Sequence, residues 1–166
     1  GIFDPLKSAK PEDIRGMMEV NYFGAMRCLQ AVLPIMHRQN SGHIINIASM
    51  AGLTSTQNMG AYAASKYALV AATQALQVEL IGTPIQCSLV CPGPIDTPFF
   101  KRADFKKMSR FAKIFGTLKP ETVADIVVHI AEHPTTLRMI PRSFYLANFA
   151  YRWVPAWTKY VLRWVG

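Results

Sequence analysis

The sequence predicts an α/β fold with a parallel sheet, on three observations. Two short runs, residues 43–49 and 85–91, are almost continuously apolar, as strands buried on both faces are. Each follows a long segment of helical character, residues 11–38 and 61–81. Turn residues punctuate the boundaries: Gly42 stands before the first run, Gly82-Thr83-Pro84 before the second. Strands alternating with helices argue for parallel pairing, with helices on both faces of the sheet.

Each element has a local reason. Pro11-Glu12-Asp13 opens the first helix, since proline suits the first turn and acids suit its positive end. Residues 51–60 are small and polar and read as a loop. The second helix, rich in Ala and Leu, ends at the Gly82-Thr83-Pro84 turn. Residues 99–115 are basic and partly helical in pattern. Lys119-Pro120-Glu121-Thr122 opens a further helix to about residue 132, stopped by Pro134. Residues 138–141 are expected to form a last short strand, and the remainder two helical pieces broken by Pro155. No internal repeat or low-complexity tract interrupts the chain.

The composition bounds the function. At 166 residues, 51% of them hydrophobic, the chain has enough apolar material for one domain or most of one. No run of about 20 apolar residues is present, so no spanning helix is expected. Cys28, Cys87 and Cys91 form no C-x-x-C pair. Cys87 and Cys91 would lie about 13 Å apart along one strand, beyond disulfide reach. Buried free thiols in a reducing, cytoplasmic setting are expected. Eighteen basic against ten acidic residues give a formal charge of +8. Such a field attracts polyanions, but no nucleic-acid-binding module is present.

The chemistry concentrates in Tyr62-Ala63-Ala64-Ser65-Lys66. Residues four apart share a helix face. An ammonium beside a phenol favours phenolate and so makes a proton-transfer pair. Ser49 ends the first strand-like run, where open α/β sheets bind ligands. Asn21 is a polar amide within an apolar helical pattern, and Pro92-Gly93-Pro94-Ile95-Asp96-Thr97-Pro98 directly follows the second strand.

Taken in order, the N-x-x-G segment at Asn21, the strand-end Ser49, the Tyr62–Lys66 pair and the Pro92-Gly93 motif resemble the catalytic half of a short-chain dehydrogenase/reductase. The resemblance covers about residues 1–135. It implies a Rossmann-type doubly wound parallel sheet, here truncated to its C-terminal half. No T-G-x-x-x-G-x-G run is present, and Gly1 resembles the last letter of the family's N-N-A-G segment. The chain thus reads as a piece, with residues 1–150 the C-terminal part of one domain and 151–166 a basic aromatic tail.

The resemblance implies an NAD- or NADP-dependent oxidoreductase that transfers hydride between the cofactor and a small carbonyl or alcohol substrate, expected to be lipophilic from Phe99 and Phe100. Tyr62 would be the general acid–base group. Lys66 would lower its pKa and hold the nicotinamide ribose. Ser49 would donate to the substrate oxygen, and Asn21 would anchor a water relay to Lys66. Gly1, Tyr62, Lys66, Pro92, Gly93, Ile95 and Thr97 would line the cofactor, with Thr97 on the carboxamide. Association into a homo-oligomer through the helices carrying Asn21 and Tyr62 is implied. An uncovered edge at the first strand would leave the isolated chain poorly stable.

Two further patterns remain. His129-Ile130-Ala131-Glu132-His133 matches H-x-x-E-H, but ends at Pro134 without an evident third ligand, and no metal is expected. In the tail, Trp153, Trp157, Tyr160 and Trp164 project onto one helical face, with Arg152, Lys159 and Arg163 about a quarter turn away. That pattern fits an interfacial helix on an anionic membrane surface, or a helix packed over the pocket or a neighbouring subunit. The reading from another class is therefore a non-catalytic fragment that binds a membrane or a partner through this tail.

Overall fold

The computed structural model describes residues 1–98 and 116–165. Helix α1 (Pro11–Met18) runs into a π turn (Glu19–Phe23) and then α2 (Gly24–Gln39). Proline at the first turn and Glu12 and Asp13 beside it account for the start. Asn40 in the left-handed region, at φ 52°, closes α2. The one expected helix is therefore one helical path with a wider turn at Asn21.

Strand β1 (Gly42–Ile47) leads through a 3-10 turn (Met50–Gly52) to α3 (Gly60–Glu79) and β2 (Ile85–Pro92). Helix α4 (Pro120–Glu132), strand β3 (Leu137–Ile140), and helices α5 (Phe144–Trp153) and α6 (Pro155–Val165) complete the chain. The predicted basic segment 99–115, including Phe99 and Phe100, lies outside the described residues.

The three strands are parallel in the order β1-β2-β3. Gly42 pairs with Ile85 and Ile47 with Val90, while Leu89 pairs with Leu137 and Pro92 with Ile140. Central β2 is buried along nearly its whole length, which explains its unbroken apolar run. Alternate residues face opposite sides. Ile85, Cys87, Leu89 and Cys91 pack against α2 and α3 through Leu29, Leu69, Val70, Leu76 and Leu80. Val90 faces the other way, onto Val123 and Ile130 of α4. The helices thus cover both faces, as expected.

The one polar residue deep in that strand is satisfied. Ser88 Oγ lies 2.8 Å from His43 Nε2 and accepts from Thr135 N at 3.3 Å. Among the described residues, no helix is long and apolar enough to cross a membrane.

Candidate active site

Ladder bonding continues one residue past β1, with Ala48 N donating to Val90 O at 2.8 Å. Ser49 therefore emerges at the carboxyl end of the sheet. Its Oγ accepts from Ala51 N at 3.1 Å and caps the 3-10 turn. That turn lies directly on α3. A Cβ added at Gly52 would sit 2.8 Å from Lys66 O and 3.0 Å from Val70 Cγ2, so only glycine permits the approach. The approach sets Ser49 beside the first turn of α3.

Tyr62 occupies that first turn and is buried. The Ser49 side chain lies close enough to the Tyr62 phenol to lower the phenol's pKa. The ring of Phe3 meets it edge-on, with centroids 5.6 Å apart. Lys66 follows one turn later, and its Nζ donates to Ile47 O at 3.4 Å. Cys91 is buried beside them. Burial pushes its thiol up to about 12, against a hydrogen bond from the Ser49 backbone and the Lys66 charge, which both lower it. Ser49, Tyr62 and Lys66, singled out from sequence, are thus brought together at one end of the sheet.

The electrostatics differ from the sequence expectation. Burial raises the Tyr62 pKa, the neighbouring Ser49 side chain lowers it, and Lys66 is not among the causes. The ammonium is itself half-buried: burial lowers its pKa, and the Cys91 thiol raises it. Desolvation of both partners outweighs the expected acidification of the phenol by its neighbour.

Asn21 reaches the same helix through Ser65. Its Nδ2 donates to Ser65 Oγ at 3.0 Å, and Ser65 Oγ donates to Tyr62 O at 2.7 Å. The amide thus ties the π turn to the backbone of α3. A π turn inserts a residue into the helix and disturbs its regular bonding, a feature frequent at functional sites.

The loop after β2 is held at both ends. Gly93 N donates to Ile140 O at 2.7 Å, Leu118 N to Pro94 O at 2.7 Å, and Asp96 N to Leu118 O at 2.9 Å. Ile95 forms a parallel bridge with Leu118, and Thr97 Oγ1 donates to Ile95 O at 3.4 Å. Gly93 has a structural reason to be glycine: an added Cβ would sit 2.6 Å from Cε2 of fully buried Phe144. Gly1 lies near Lys66.

Sequence reasoning missed Phe3, Ser65, Cys91 and Phe144. Ser65 was visible inside the Tyr62–Lys66 run. Nothing local marks Phe3 or Phe144, whose partners are distant in sequence. On α4, His129, Glu132 and His133 are exposed, with ligand atoms within 4.8 Å of one another. The three are the His, Glu and His of the H-x-x-E-H pattern itself.

A family model described as short chain dehydrogenase matches residues 1–107. An uncharacterized oxidoreductase of Escherichia coli K12, YbbO, is 38% identical over 141 residues, covering 81% of this chain and 52% of that protein. Human retinol dehydrogenase 8 is 39% identical over 99 residues, covering 60% of this chain and 32% of that protein. A short chain dehydrogenase/reductase from Burkholderia phymatum, solved in complex with NAD, superposes with a TM-score of 0.80 at 25% identity, covering 92% of this chain and 62% of that one. The chain spans about half the length of the curated relatives it matches. The fold of these strands around Ser49 and Tyr62 agrees with those matches, and the chain belongs to the short chain dehydrogenase family.

Proposed function

We propose that the protein carrying this chain is an NAD- or NADP-dependent oxidoreductase that interconverts a carbonyl and an alcohol, with Ser49, Tyr62 and Lys66 as its acid–base set. The observation that carries the reading is that Ser49, at the carboxyl end of β1, lies close enough to the buried Tyr62 phenol to lower its pKa, with Lys66 one turn further along the same helix.

The residues fit the cofactor. Lys66 donates one hydrogen bond among the described contacts, to Ile47 O, and an ammonium carries three donors. Two remain for the hydroxyls of a nicotinamide ribose. Thr97 and the backbone around Ile95 would meet the carboxamide, with Gly1, Pro92 and Gly93 lining the same site. When bound, the cofactor supplies the hydride.

In the reducing direction, Tyr62 gives its proton to the substrate oxygen as negative charge develops there. Burial raises the phenol's pKa and keeps that proton in place at neutral pH. Ser49 donates a hydrogen bond to the same oxygen. Lys66 is proposed to hold the cofactor's ribose and to meet the phenolate only after its proton has left. Asn21 acts through Ser65 to hold the first turn of α3 in position.

The substrate is proposed to be lipophilic. Val20, Phe23 and Tyr67 are exposed on the helices that carry Asn21 and Tyr62, and supply the apolar surface for a proposed homo-oligomer. A second reading, favoured by the exposed aromatic residues of α5 and α6, is attachment to a membrane or a protein partner.

The test is nicotinamide absorbance against a panel of carbonyls, with NADH and NADPH in turn. Tyr62→Phe is expected to lower kcat/KM on the order of 10²–10⁴-fold. Unchanged turnover in that variant overturns the role given to the phenol.

A further inference from the structure

We infer that α5 and α6 together form a docking face for an anionic lipid bilayer. The inner side of α5 is anchored, and on α6 Thr158 is buried. Phe144 is fully buried in the core. Tyr145 Oη donates to Leu137 O at 2.9 Å and accepts from Met139 N at 3.2 Å. Tyr151 lies beside Tyr67 of α3, close enough to raise its pKa. With that side fixed, the other side stands in solvent: Leu146 is 76% exposed, Trp153 73%, Trp157 63% and Tyr160 74%.

The exposed residues are organised. Leu146, Phe149 and Trp153 fall at helical spacing on α5, as do Trp157, Tyr160 and Val161 on α6. Phe149 and Trp153 stack, with ring centroids 5.7 Å apart. Trp and Tyr pair an apolar ring with a polar tip, which suits the boundary between headgroups and acyl chains. Neither helix is long enough to span, so the geometry is that of helices lying in the interface.

Charge selects the occupant. No Asp or Glu follows Glu132, while Arg138, Arg142, Arg152, Lys159 and Arg163 do. Arg152 and Arg163 are exposed, each one turn beyond an aromatic of the face, Phe149 and Tyr160. An anionic surface complements that excess, whereas a second copy would bring the same positive charge against it. Lipid docking is independent of the chemistry at Tyr62.

The chain carries its own probe, because its three tryptophans, Trp153, Trp157 and Trp164, all lie in this segment. Tryptophan emission is recorded with vesicles of phosphatidylcholine alone, or mixed with phosphatidylglycerol, with and without brominated acyl chains. A blue shift and bromine quenching are expected with the anionic vesicles only, weakened by salt. By co-sedimentation, Arg152→Gln and Arg163→Gln should each weaken binding about fivefold. Trp153→Ala with Trp157→Ala should abolish it. Those side chains are exposed, so the variants should keep the fold, and quenching of the unaltered chain needs no variant. No shift with anionic vesicles, or an equal shift with neutral ones, overturns the inference. So does a self-associated chain that the two Trp substitutions dissociate in ultracentrifugation while vesicle binding is unchanged.

Discussion

Gly52→Ala tests how the site is assembled, because the new methyl group would strike backbone. An added Cβ lies 2.8 Å from Lys66 O, 2.9 Å from Lys66 C and 3.0 Å from Val70 Cγ2. Comfortable contact begins near 3.5 Å, so the 3-10 turn has to retreat from α3 by about 0.5–0.7 Å. Helix α3 cannot yield there, since its carbonyls are committed to the helical ladder. The expected cost is about 1–3 kcal/mol, with Tm falling about 2–4 °C for each kcal/mol. Gly60→Ala is the control. Its Cβ overlaps by a similar amount, 2.7 Å from Leu6 Cδ2, but Leu6 is 69% exposed and free to swing away. Alanine also favours the helix that starts there, so the change should be neutral within about 0.5 kcal/mol, or stabilising. Urea unfolding followed by circular dichroism compares the two. Equal losses, or a neutral Gly52→Ala, refute the claim that backbone contact at Lys66 sets the position of Ser49.

Ser65→Ala leaves the Asn21 amide without its acceptor and should cost about 1–3 kcal/mol in the same unfolding assay. A double-mutant cycle with Asn21→Ala should return a coupling of about 0.5–3 kcal/mol, and zero coupling rules out the link. Thiol labelling at neutral pH should modify exposed Cys28 and spare Cys87 and Cys91, which burial pushes up to about 11 and about 12. Labelling of more than one thiol in the native chain contradicts this. Burial lowers the folded Lys66 pKa below its ordinary 10.5, so its contribution to stability is present above that value and lost as pH falls through the folded one. Stability should therefore rise with pH toward 10.5, and Lys66→Met should flatten the rise. Tyr62 is raised above 10.0 and acts with the opposite sign, losing its contribution as pH climbs through the folded value, which confines the comparison to lower pH. Parallel melting curves for the two proteins across that window refute it.

The fold was readable because its elements obey local rules. Pro11 and Pro120 open helices, the apolar run at residues 85–91 is the strand buried on both faces, and the Tyr62–Lys66 spacing lies on a helix as required. What escaped depends on pairs far apart in the chain. Phe3 meets Tyr62 and Phe144 fills the space beside Gly93 only after the sheet has formed. The π turn at Glu19–Phe23 shifts bonding by one residue and leaves no mark in composition. Gly93 shows a subtler limit. The motif points to a cofactor outside the glycine, whereas the contact that requires a glycine there comes from Phe144 inside.

The Tyr62–Lys66 pair shows where a motif stops being enough. Spacing establishes that phenol and ammonium share a face, and at the surface that would make the phenol more acidic. Packing adds what spacing omits: Phe3 closes over Tyr62, and Lys66 turns inward to Ile47 O. Burial penalises the charged form of each, so the phenol holds its proton and the amine gives its own up more readily. A proton donor at neutral pH is what the proposed carbonyl reduction needs, and the Ser49 side chain opposes burial in the other direction. The site is therefore poised by a serine whose position depends on Gly52, a residue no catalytic motif contains.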